Sequence, residues 1–186
     1  YQDTLRSIDS SLKKLDVDYI DLLLIHEPTG DVHEIYRAME TAYKSGKLRA
    51  IGVSNFLEER YLDLINHCKG IPAINQVETH VFRQQAQLRK LECQIGTKHE
   101  SWSPLACGQN GIWQTPALIE IARNRGKSVS QIALRFLLQQ GIIVIPKSTN
   151  TEHMKENLSV LDFDLEADEM QTVEKLEVGR SLFNWW

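Results

Sequence analysis

The apolar residues of this chain follow two alternating rhythms. Short, nearly continuous apolar runs recur at Asp18–Ile25, Leu48–Val53, Ala73–Glu78 and Ile142–Pro146, and a run poorer in apolar residues lies between them at Lys98–Trp102. Runs without strict alternation are expected of strands buried on both faces, as in a parallel sheet. The segments between carry apolar residues three and four apart, the spacing of one helix face. Leu5, Ile8, Leu12 and Leu15 form such a stripe in Thr4–Leu15. Val32–Ser45 stops at Gly46, Leu57–Cys68 near Gly70, and Gln85–Ile95 at Gly96. Thr115-Pro116 predicts an N-cap with proline in the first turn, and Gly126 ends that helix. Ser128 and Gln131 have capping-box spacing and open Val129–Gln140, while Thr151–Val160 and Ala167–Val178 complete the set. With no repeat, low-complexity stretch or linker, residues 1–186 read as a single domain.

Strands alternating with helices through short connections imply parallel strands and right-handed crossovers. A doubly wound sheet would need a glycine-rich phosphate turn, and neither GxGxxG nor GxxxxGK[ST] is present. A (β/α)8 barrel places its functional residues at the C-terminal ends of its strands. Those positions here hold His26 and Glu27, Ser54 and Asn55, Gln76 and Glu78, Ser103, and Lys147 with Ser148. Five polar strand ends point to one shared site.

The chain has 186 residues, is 42% hydrophobic and carries a net charge of −4. That length supports one buried core, and the absence of a basic excess argues against a nucleic-acid surface. No apolar run approaches the roughly 18 residues of a membrane span, and the polar first residues do not form a signal peptide. Cys68, Cys93 and Cys107 are far apart and form no CxxC pair, so they read as free thiols in a reducing compartment, the cytoplasm. Cys107 reads as a small buried thiol, with lining of a pocket as the alternative. His33, His67, His80 and His99 show no metal-ligand spacing, and no metal is expected. Trp113, Trp185 and Trp186 fall in loop or tail positions.

Read in order, the strand ends spell Leu24-Ile-His-Glu-Pro28, Gly46-Lys-Leu-Arg-Ala-Ile-Gly-Val-Ser-Asn-Phe56, Asn75-Gln-Val-Glu78, Trp102-Ser-Pro-Leu105, and Ile145-Pro-Lys-Ser-Thr-Asn150 followed by Glu156-Asn157. Their order and spacing resemble the aldo-keto reductases, the bacterial diketogluconic-acid-reductase-like members above all. The resemblance implies a (β/α)8 TIM barrel that binds NADPH at its C-terminal mouth and reduces a small-molecule carbonyl substrate by direct hydride transfer; acceptance of NADH as well is expected from the departure at His153. Of the four catalytic residue types that the family uses, only the histidine has a counterpart, His26. The chain therefore reads as barrel strands four to eight with the first three missing, inactive on its own and monomeric as a complete barrel. The alternative is a cofactor-binding, catalytically inactive relative or fragment.

The resemblance also implies residue roles. His26 would donate a hydrogen bond to the substrate carbonyl oxygen. Ser54, Asn55 and Gln76 would hold the nicotinamide carboxamide, although Ser54 or Asn55 could equally cap the following helix. Trp102 would stack on the nicotinamide, or else be an ordinary core aromatic. Ser103 and Leu105 belong to the same cofactor-binding motif. Lys147 and Ser148, before a helix, suit the 2′-phosphate of NADPH. His153 replaces an arginine usual in the family, which weakens the preference for NADPH over NADH. Glu156 and Asn157 match residues that contact adenine, or else form a solvated helix face.

Overall fold

Helices and strands alternate as the apolar rhythm requires in the computed structural model, which describes residues 1–183. The order is α1 (Gln2–Leu15), β1 (Leu23–Ile25), α2 (Val32–Lys44), β2 (Ile51–Ser54), α3 (Glu58–His67), β3 (Ile74–Glu78), α4 (Ala86–Ile95), β4 (Lys98–Trp102), α5 (Pro116–Arg125), α6 (Val129–Gln139), β5 (Ile143–Val144), α7 (Thr151–Leu158) and α8 (Ala167–Glu174), with short 3-10 turns at Ala106–Gly108, Ile112–Gln114 and Ser159–Leu161. The strands follow the sheet order β1-β2-β3-β4-β5. β1 pairs with β2, β2 with β3, and β4 with β5, all in parallel. Asn184 and the two tail tryptophans, Trp185 and Trp186, lie outside the described residues.

Element ends differ from the sequence expectation where a backbone group is committed elsewhere. The first strand is shorter than Asp18–Ile25. Ile20 makes only an isolated bridge to Leu48, and exposed Asp21, paired with Arg49, sits at a bend before Leu23. The last strand shrinks to two residues, because the Ile142 N–H closes the end of α6 on Leu137 O and Pro146 has no N–H to give. α8 stops at Glu174, and the Val178 N–H instead donates to Phe82 O at 2.9 Å. Thr115 does begin a proline-led helix, but its hydroxyl donates to Gly111 O rather than capping it. The Ser128–Gln131 capping box forms in both directions, at 2.9 and 3.3 Å.

The chain divides into two compact units, Tyr1–Val77 with Gln87–His99, and Glu78–Ala86 with the chain from Glu100 onward. The first unit buries Ile8, Tyr36, Met39, Val53, Phe56, Tyr61 and Leu64. Each such side chain contributes about 1.5–3 kcal/mol by leaving water. The second unit has its own core, in which Val81, Ile112, Leu118, Ile132, Phe136, Leu137 and Val173 meet. Among the described residues no helix is long and apolar enough to cross a membrane. The three cysteines are free.

Candidate active site

In the first unit the parallel register aligns the predicted residues. Ile25 stands opposite Val53, Val53 opposite Asn75, and one residue on, Ser54 stands opposite Gln76. His26 follows Ile25 directly, so His26, Ser54 and Gln76 occupy the same rung, just past the end of β1, at the last residue of β2 and midway along β3. Gly52 makes the close approach possible. A Cβ there would lie 2.6 Å from Ile74 O and 2.7 Å from Leu24 Cδ2.

The backbone at this rung is pinned. Buried Ser54 donates its hydroxyl to Gln76 O at 2.9 Å, and the Asn55 N–H donates to the same oxygen at 2.9 Å. Asn55 takes a left-handed φ of 62° and sends its side-chain amide to the Glu27 carboxylate at 3.3 and 3.4 Å. Neither Ser54 nor Asn55 caps α3. Its N-cap is Leu57, without a side-chain cap bond, so the capping alternative falls away. His26 is exposed at the rim of a cleft of about 410 Å³ walled by α1, β1 and α2.

Behind the rung lies a polar network absent from the sequence reading. Buried Asn75 donates its amide to Phe56 O and to Glu92 Oε1, both at 2.7 Å, and Glu92 Oε2 meets His99 Nδ1 at 2.6 Å. The clue was Glu92 itself, one helical turn from both Leu88 and Ile95 and therefore on the apolar face of α4.

The second unit holds the remaining residues. Trp102 ends β4 half-buried, its ring tilted 53° against buried Phe183 at 5.1 Å. Phe183 is placed by an anchor at Glu78. That carboxylate receives the Ser181 hydroxyl, the Leu182 N–H at 3.0 Å and His80 Nε2 at 3.1 Å, with Arg83 Nε 3.6 Å away. Burial alone would raise the carboxyl pKa, but the bonds from His80, Ser181 and Leu182 and the charge of Arg83 together hold it below the usual range.

The loop after Trp102 is conformationally costly. Ser103, Ala106, Cys107 and Asn110 all have φ near +50°, and non-glycine residues held there cost about 1–3 kcal/mol each. Such outliers cluster at functional sites. Leu105 lies half-buried within this loop. Cys107 is exposed, contrary to the buried thiol expected, because its left-handed backbone sits at the turn; Sγ lies 3.0 Å from Ser103 Oγ.

Beyond β5, Lys147 is exposed and Ser148 accepts the Asn150 N–H at 3.1 Å. The N-cap of α7 is Asn150, whose side chain accepts from Glu152 N at 2.8 Å and His153 N at 3.4 Å. Those helix N–H groups are thus internally satisfied, which leaves an anion here chiefly the Lys147 ammonium and the Ser148 hydroxyl. His153 and Glu156 are exposed on α7 and Asn157 is half-buried.

Residues 1–178 match the Aldo/keto reductase family. The chain is 46% identical over 177 residues to the uncharacterized oxidoreductase YtbE of Bacillus subtilis, a match covering 95% of this chain and 62% of that protein. It is 39% identical over 175 residues to methylglyoxal reductase DkgA of Escherichia coli, covering 92% of this chain and 64% of the relative. A crystal structure of a Gox0644 mutant in complex with NADPH superposes with a TM-score of 0.92 at 34% identity, covering 98% of this chain and 68% of that one. The chain thus spans less than two thirds of these two curated relatives. The matches extend over most of each relative and do not locate the remainder, so the expected loss of the N-terminal third is not borne out by them.

Proposed function

Because the chain belongs to the aldo/keto reductase family and shares its (β/α)8 barrel fold, we propose that it serves NADPH-dependent reduction of aldehydes and ketones to alcohols. The carrying observation is the register that puts His26, Ser54 and Gln76 on one rung toward the C-terminal end of the parallel strands. Chemistry in such barrels is done at that end. A relative named methylglyoxal reductase and a structural neighbour that holds NADPH support the same reading.

The residues present fit a dinucleotide. When bound, the dihydronicotinamide supplies a hydride to the substrate carbonyl carbon. His26 donates a ring N–H to the carbonyl oxygen and stabilises the charge that develops there, while the proton that completes the alcohol comes from a general acid that none of these site residues supplies. Asn55, locked by its N–H bond to Gln76 O, joins Ser54 and Gln76 in holding the carboxamide and so selects the ring face. Trp102 provides an aromatic surface steadied by Phe183, and Ser103 and Leu105 shape the strained loop beside it. Lys147 and Ser148 receive the 2′-phosphate, and Glu156 and Asn157 the adenine. His153 lacks the permanent charge and planar fork of arginine, so both NADPH and NADH bind, with NADPH ahead.

Titration with NADPH, followed by tryptophan fluorescence, and then methylglyoxal-dependent NADPH oxidation test the reading. Saturable quenching that Trp102→Phe diminishes is the expected result for this chain, and turnover is expected only where the family's other catalytic residues are supplied. Absence of NADPH binding at millimolar cofactor would overturn it.

A further inference from the structure

We propose that His33, Asp63 and His67 form a binding site for a divalent transition metal of the zinc type, clamped between α2 and α3. His33 lies 30 residues from Asp63 in sequence, which is why spacing alone gave no hint of a site. The fold brings His33, in the first turn of α2, against Asp63 and His67, which lie one turn apart on α3. His33 Nε2 is 2.9 Å from Asp63 Oδ2, and His67 Nδ1 is 3.5 Å from Asp63 Oδ1. One ligand atom from each of the three lies within 4.8 Å of the others.

Bonds of about 2.0–2.1 Å at a tetrahedral zinc set neighbouring donor atoms about 3.4 Å apart. The two carboxylate distances, one to each oxygen of Asp63, bracket that value. Two imidazoles and one carboxylate favour zinc, copper or nickel over magnesium or calcium, which prefer all-oxygen shells. His33 Nδ1 is buried without a partner, so Nε2 is that ring's one polar outlet, and it faces Asp63. Asp63 and His67 are more than half exposed, which leaves an entry path and room for water in the remaining coordination positions. In the metal-free protein His67 Nδ1 bonds Asp63 O at 2.7 Å, and metal binding exchanges that bond for coordination. The bound ion would staple α2 to α3. None of the three residues has a role in the proposed reduction.

Calorimetric titration of the whole chain with zinc chloride tests this, alongside His33→Gln, His67→Gln and Cys68→Ser. His67 is exposed and His33 half-buried, and metal-free thermal melts verify that both variants fold. One saturable equivalent is expected, weakened about tenfold or more in each histidine variant and unchanged in Cys68→Ser. Zinc should also raise the melting temperature of the parent chain, and by less in the histidine variants. Lack of saturable binding at millimolar zinc, binding indifferent to both histidines, or binding lost only with the Cys68 thiol would each overturn the proposal.

Discussion

Gly52→Ala is the sharpest structural perturbation of the candidate site. Gly52 stands opposite Leu24 in β1 and precedes the Ser54–Gln76 rung by two residues. Its φ is not left-handed, so an alanine there meets no intrinsic backbone strain and the effect is steric. The added methyl would lie 2.7 Å from Leu24 Cδ2, which a rotamer change can relieve, and 2.6 Å from Ile74 O, which only a shift of β3 can relieve. Overpacking of this kind costs about 2–3 kcal/mol. For a chain of this size each kcal/mol moves the melting temperature by about 2–4 °C, so a loss of about 4–12 °C is expected. NADPH affinity should fall too, because the strands that carry Ser54 and Gln76 separate. Gly70→Ala is the matched control, since its Cβ would meet only Glu40 Oε1 at an ordinary 3.7 Å. Thermal melting by circular dichroism with cofactor titration reads both effects. A Gly52→Ala protein that melts with the parent, or a Gly70→Ala loss of equal size, would refute the reasoning.

Other outcomes follow from the same contacts. Glu92→Ala removes one buried acceptor of the Asn75 amide and the carboxylate that meets His99 Nδ1, at a cost of about 2–5 kcal/mol by denaturant unfolding. Glu78 has a folded pKa below its unfolded value of about 4.3, so its stabilisation is present above that pH and is lost as pH falls through the folded value; Glu78→Gln should flatten the acid limb of stability against pH. Lys147→Ala removes a charged bond contributing about 1.5–3 kcal/mol, so dissociation constants should show NADPH binding weakened tenfold or more and NADH binding little changed. His153→Arg should raise the ratio of NADPH to NADH affinity about tenfold, read from the same titrations.

The elements and the strand-end residues were legible in the sequence because both follow from local rules. Apolar spacing marks the helices and buried strands, and parallel strands put their C-terminal residues at one end. Element ends were less legible because they depend on distant commitments, such as the Ile142 N–H closing α6 and the Val178 N–H reaching Phe82. Glu92 reads as a surface residue until Asn75 and His99 are brought around it. The run from Ser103 to Gly111 reads as a loop, but composition does not reveal four left-handed non-glycine residues within it. Nor does any spacing join His33 to Asp63 and His67, which meet only when α2 packs on α3.

Transfer of deuterium from NADPH labelled at nicotinamide C4 to the carbonyl carbon of methylglyoxal tests the central claim most directly. Where the family's other catalytic residues are supplied, the account predicts a product alcohol carrying one deuterium on the former carbonyl carbon, formed about 100- to 1000-fold more slowly in His26→Ala, the scale of losing one oxyanion donor. An unlabelled product or an unchanged His26→Ala rate would contradict it.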